Sequence, residues 1–137
     1  MDHASRSEQA LSILVAEDNL INQKVIVGML KHLGHAVEVA ENGLVAINML
    51  EHGDYDLILM DVQMPELDGL EATRRIRART DHKGRLPIIG VTANAMEHDR
   101  DNCLMAGMNE HLPKPVRQQD LKAVLMRWQK AIRGARS

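Results

Sequence analysis

The sequence predicts an α/β fold in which five strands alternate with five helices and form a parallel sheet covered on both faces. Two observations carry this. Short apolar runs without polar alternation recur along the chain, as strands buried on both faces require. Between them, apolar residues recur at helical spacing. A third observation sets the scale: 137 residues, 45% apolar and 26% charged, fit one soluble domain with a single core.

Taken in order, "LSILVA" at residues 11–16 is the first strand. Residues 19–33 follow as a helix, with Ile21, Val25, Leu30 and Leu33 as its inward stripe and Gly34 as its stop. "AVEVA" at residues 36–40 is the second strand. Asn42 caps a helix over residues 43–52 that stops at Gly53. "DYDLILM" at residues 54–60 is the third strand, ending on Asp61, with Pro65 and Gly69 marking a turn beyond it. The third helix spans residues 69–80. "RLPIIGV" at residues 85–91 is the fourth strand, and residues 95–106 form a helix stopped by Gly107. "EHLP" at residues 110–113 is a short fifth strand before Lys114-Pro115. The last helix, residues 117–131, carries Leu121, Val124, Leu125 and Trp128 on one stripe. The domain therefore covers residues 10–131, between a flexible N-terminal extension (1–9) and a C-terminal tail (132–137).

Composition narrows the function. Tyr55 and Trp128 are the only aromatic residues, so stacking platforms for bases or flavins are scarce. Cys103 is the only cysteine, which rules out an internal disulfide. The first ten residues are polar and lack a signal-peptide core, and no run has the roughly 20 apolar residues of a membrane span. A cytoplasmic domain without membrane contact is the expectation. Residues 1–72 hold 13 acidic and 3 basic side chains, and residues 73–137 hold 6 and 14. Without aromatics for stacking, this asymmetry reads as solvated helix faces rather than a nucleic-acid surface.

In open α/β sheets, sites lie beyond the carboxyl ends of the strands. Those ends carry Glu17-Asp18, Glu41-Asn42, Asp61, Thr92 and Lys114. Each has an ordinary reading alone: an acidic pair caps a helix, Asp61 forms a turn, Thr92 caps, Lys114 is solvated. Together they describe chemistry. Carboxylates about 5 Å apart cost roughly 3 kcal/mol per ionised pair at an effective dielectric of about 20. A cation offsets that cost, and hard oxygen ligands suit Mg²⁺. Lys114 and Thr92 suit phosphate oxygens, and Asp61 suits a carboxylate nucleophile that becomes an aspartyl phosphate.

"LVAEDN", "LILMDVQMPELDGLEATRRIR", "IIGVTANAM" and "GMNEHLPKP" resemble the receiver domain of two-component response regulators. The wording is most similar to receivers fused to hybrid sensor histidine kinases. The resemblance implies a flavodoxin-like (βα)5 doubly wound sheet of strand order 2-1-3-4-5. It implies that Asp61 accepts a phosphoryl group from a phosphohistidine. Asp18, Asp61 and the backbone carbonyl of Gln63 would bind Mg²⁺, with Glu17 acting through a metal-bound water and Mn²⁺ able to substitute. Thr92 and Lys114 would hold the phosphoryl oxygens, with a cis bond before Pro115. Thr92 and His111 would form the switch, His111 standing where the family usually carries Tyr or Phe. Gln63 and Asn94 would tune the lifetime of the phosphate. Partners would be a histidine kinase core or a histidine-phosphotransfer domain docking on the first helix. The fourth helix, fifth strand and fifth helix would form the face for output or dimer contact. Such a domain promotes only its own phosphotransfer and dephosphorylation. A free-standing regulator and a receiver used only for binding are the alternatives.

Rival classes fit less well. A haloacid-dehalogenase-type phosphatase wants a second Asp where Gln63 stands. A flavin carrier wants a Ser/Thr/Gly-rich loop where "EDN" stands. Neither G-x-G-x-x-G nor a P-loop is present. His32 and His35 straddle Gly34, which argues against a helical metal pair, His52, His82 and His98 read as exposed, and Met96, Met105, Met108 and Cys103 read as packing residues.

Overall fold

A computed structural model describes residues 10–64, 66–93 and 97–136. The described elements are β1 (Ser12–Ala16), α1 (Leu20–His32), β2 (Ala36–Ala40), α2 (Gly43–His52), β3 (Leu57–Asp61), α3 (Gly69–Arg77), a short 3₁₀ helix (His82–Arg85), β4 (Ile88–Thr92), α4 (Glu97–Ala106), β5 (Glu110–Pro113) and α5 (Gln118–Arg136). All strand pairs are parallel, and the order is β2-β1-β3-β4-β5.

The two faces follow from strand parity. Leu14, Ile58, Met60 and Ile88 pack with Ala46 and Leu50 of α2, Ala72 and Ile76 of α3, and Cys103 of α4. Ile13, Val15, Leu57, Leu59 and Ile89 face the other way, onto Ile26 and Leu30 of α1 and Leu121, Val124 and Leu125 of α5. Every residue of β3 and β4 is buried, which is why those strands read as unbroken apolar runs.

Several boundaries moved for physical reasons. Of the expected stripe of α1, Leu30 is buried and Leu33 half-buried, while Ile21 is 72% exposed and Val25 49%; Ile26, outside that stripe, goes inward instead. The first turn of α1 stands beside the charged carboxyl edge of the sheet, where Gln23 Nε2 donates to Glu17 O, and Val25 lines a cleft there. The third helix ends at Arg77 rather than residue 80, and the fourth strand begins at Ile88 rather than residue 85. Between them, Arg79 pairs with Asp81 and the chain coils into the 3₁₀ helix. Arg77 closes this corner by donating to Gly107 O, Gly84 O and Asn109 Oδ1, each at 2.8 Å. The third strand starts at Leu57 rather than residue 54; just before it the Asp56 N–H donates to Ser12 O at 2.7 Å, and the Asp56 side chain accepts the Ser12 N–H at 2.8 Å. The last helix runs on to Arg136, past residue 131.

Candidate metal and phosphoryl site

Register brings Glu17 and Asp61 together. Ala16 pairs with Met60, so the next residues, Glu17 and Asp61, leave adjacent strands side by side. They also share the parity of Val15 and Leu59, and therefore one face. Asp61 pairs with Val91, and Thr92 pairs with Pro113, so the ends of β3, β4 and β5 form one rim. Lys114 follows immediately, its N–H donating to Thr92 O at 2.8 Å, and the Lys114–Pro115 peptide is cis.

Asp61 is 2% exposed. Its Oδ1 accepts the Gln63 N–H at 3.1 Å and its Oδ2 accepts from Lys114 Nζ at 2.8 Å. Glu17 is 1% exposed. Its Oε2 accepts the Asn19 N–H at 3.0 Å, while its Oε1 has no hydrogen-bond partner among the described residues and stands 3.4 Å from Lys114 Nζ. Gln23 Nε2 donates to Glu17 O at 2.6 Å, which ties the first turn of α1 to the strand end. Burial pushes the Glu17 carboxyl above the usual range and the Asp61 charge adds to this, against the Asn19 N–H and Lys114. Burial works against the Lys114 charge, but the hydrogen bond and charge of Asp61 and the charge of Glu17 outweigh it and hold the lysine above its ordinary value.

Ligand atoms of Glu17, Asp18 and Asp61 lie within 4.8 Å of one another, with Asp18 exposed. These three carboxylates and the one ammonium leave two negative charges when all are ionised. A divalent cation matches that sum, and Glu17 Oε1, although 3.4 Å from Lys114 Nζ, is a buried oxygen that accepts no hydrogen bond among the described residues. The donor set therefore fits a hard divalent ion.

Thr92 is buried at the end of β4. His111 is half-buried on β5 opposite Gly90. Gln63 is exposed just past Asp61, and Asn94 lies outside the described residues. A cleft of about 290 Å³ opens beside the site, lined by Glu17, Val25, Ile26, Lys114, Pro115 and Val116 among others. The sequence pattern gave no sign of this cleft, because it treated Val25 as a core residue.

An acidic, lysine-bridged pocket at the carboxyl edge of a 2-1-3-4-5 parallel sheet defines a class of phosphoryl-accepting signalling domains. Residues 13–126 match the response regulator receiver domain family, and the chain belongs to it. It is a receiver domain of two-component systems, homologous to those of hybrid histidine kinases. Hybrid signal transduction histidine kinase H of Dictyostelium discoideum is 49% identical over 85% of this chain but only 9% of its own length. The chain spans between 4% and 16% of the length of the first curated relatives. Among solved structures, the receiver domain of sensor histidine kinase PA1611 from Pseudomonas aeruginosa, with a magnesium ion coordinated in its active-site cleft, is 48% identical. It superposes with a TM-score of 0.81, covering 88% of this chain and 98% of that one. The receiver domain of Saccharomyces cerevisiae Ssk1, crystallised with the histidine phosphotransfer protein Ypd1, is 30% identical with a TM-score of 0.80, covering 88% and 89%.

Proposed function

We propose that this domain accepts a phosphoryl group on Asp61 from a phosphohistidine, and that the resulting aspartyl phosphate changes its conformation. The observation that carries this reading is the buried Asp61 carboxylate, held by Gln63 N–H and Lys114 Nζ at the centre of the acidic cluster. An Asp61 oxygen attacks phosphorus, the O–P bond forms, the P–N bond breaks, and the imidazole leaves with the electron pair and takes up a proton. Lys114 exchanges its bond to Asp61 for a phosphoryl oxygen, and the Thr92 hydroxyl donates to another. Glu17, Asp18, Asp61 and the Gln63 carbonyl are the groups that would hold Mg²⁺, or Mn²⁺ in its place, which when bound offsets the charge of the phosphoryl oxygens. Thr92 and His111 are the switch in this reading. Gln63 and Asn94 set the exposure of the phosphate to water.

The donor is a histidine kinase core or a histidine-phosphotransfer domain. The exposed Leu20, Ile21 and Val25 of α1 support docking there, since these are large apolar side chains left open to solvent and Val25 lines the cleft that also contains Lys114. Leu104 and Met105 of α4 and Met126 of α5 are exposed too, which supports output or dimer contact through α4, β5 and α5. Among the described residues no helix is long and apolar enough to cross a membrane. A cytoplasmic place within a hybrid histidine kinase agrees with that and with the relatives. The test is a transfer assay: a phosphorylated histidine-phosphotransfer domain mixed with this chain should lose its label to Asp61 when Mg²⁺ is present. Retention of the label on the donor under all metal conditions would remove the receiver from the relay.

A further inference from the structure

We propose that Gly43, which supplies no ligand, is a positioning residue for the metal site, acting through the segment between Asp61 and α3. This rests on the metal-site reading above. Gly43 is the first residue of α2 and is buried. A Cβ built there would lie 2.5 Å from Leu67 O, 3.3 Å from Leu67 C and 3.2 Å from Ala72 Cβ. The nearest of these is backbone, so the contact cannot be relieved by a side-chain turn. Helix propensity points the other way: alanine is favoured over glycine by about 1 kcal/mol inside a helix. Gly43 has no left-handed φ to explain it either. What the missing side chain provides is room for the Leu67 peptide to rest against the start of α2.

That peptide belongs to the segment bearing the Gln63 carbonyl. Val62 N–H donates to Val91 O, and Gly69 N–H donates back to Val62 O at 2.9 Å, so both ends of the segment are tied to the strand ends. Glu66 has φ 67°, a left-handed conformation that a non-glycine residue holds only when its surroundings enforce it. Leu67 follows directly and is buried in the α2–α4 face of the core. With the ends tied at Val62 and Gly69, the backbone available to take up a displacement of the Leu67 peptide includes Gln63. On this proposal a methyl group at position 43 acts on the metal site through that backbone.

Gly84 provides the control. A Cβ there meets Arg79 O at 2.7 Å and Ile76 O at 3.1 Å, a comparable clash with backbone. Gly84 precedes β4, at the amino-terminal edge of the sheet and away from the acidic cluster. The experiment is a Mg²⁺ titration followed by backbone NMR shifts, at a temperature where circular dichroism shows each variant folded. Gly43→Ala is expected to bind Mg²⁺ roughly tenfold or more weakly than wild type, the size typical of losing an outer support of a metal ligand. Gly84→Ala is expected to lose stability toward urea and keep the wild-type Mg²⁺ affinity. Should Gly43→Ala fail to fold, Leu67→Ala loosens the same anchor from its other side and is expected to weaken Mg²⁺ binding likewise. Wild-type affinity in the folded Gly43→Ala or Leu67→Ala variant overturns the proposal, as does an equal loss in Gly84→Ala. A wild-type protein with no saturable Mg²⁺ shift overturns the metal-site reading itself, and the role of Gly43 with it.

Discussion

The Lys114 ammonium is shared between Asp61 Oδ2 at 2.8 Å and Glu17 Oε1 at 3.4 Å, so two of the three carboxylates meet a counter-charge without any metal. Asp18 does not share it among the described contacts and adds its charge to the cluster. Asp18→Asn should therefore weaken Mg²⁺ binding and yet stabilise the metal-free protein. Solvent screens an exposed carboxylate, so the gain is about 0.5–1 kcal/mol, a rise of a few degrees in Tm. A lower Tm for the variant in chelator would show that Asp18 stabilises the fold rather than straining it. In the proposed function Thr92 serves the response rather than the transfer. Thr92→Ala keeps Asp61 and Lys114 and should still take up a phosphoryl group, while the amide shifts that follow phosphorylation shrink. A full-sized set of shifts in Thr92→Ala would take the hydroxyl out of the switch.

At the scale of elements, the joint between α1 and β2 depends on a neutral histidine. The His35 backbone N–H donates to Leu30 O, and Leu11 N–H donates to His35 Nδ1 at 3.0 Å, so His35, through its backbone and its ring, joins the end of α1 to the residue before β1. Nδ1 must be unprotonated to accept that bond. Burial holds the His35 pKa below its ordinary value of 6.5. The unfolded chain then binds the proton more readily than the folded one. The His35 contribution is fully present above about pH 6.5 and is lost as pH falls from there toward the lowered folded value. Comparing urea midpoints between pH 5 and 7.5 for wild type and His35→Gln isolates this effect, because the glutamine can still accept from Leu11 without titrating. The variant should show a shallower acid loss, and parallel curves would mean that His35 does not contribute. The corner after α3 rests on Arg77, whose fork serves Gly107, Gly84 and Asn109 together. Arg77→Lys cannot reproduce three directed bonds and should cost about 2 kcal/mol in urea unfolding.

For the whole molecule, the sheet was legible because β1, β3 and β4 are apolar on both faces, and parallel strands with helices on both sides are the arrangement that hides such runs. The placement of the candidate site residues was legible because a parallel sheet brings its strand ends to one edge, so Glu17, Asp61, Thr92 and Lys114 could be read as lying along one rim although far apart in the chain. What could not be read depends on partners distant in sequence. The exposure of Ile21 and Val25 follows from where the sheet ends, which helical periodicity does not encode. The 3₁₀ helix at His82–Arg85 depends on the Arg77 corner, and the need for glycine at position 43 depends on a carbonyl 24 residues away. The central claim is that this assembly exists to place one phosphoryl group on Asp61. It is tested most directly by intact mass after incubation with acetyl phosphate, with Mg²⁺ and with chelator, on wild type and on Asp61→Asn. The account predicts a single added phosphoryl group on wild type in Mg²⁺, and none with chelator or on Asp61→Asn. A stoichiometric adduct on Asp61→Asn, or none on wild type with Mg²⁺, would contradict it.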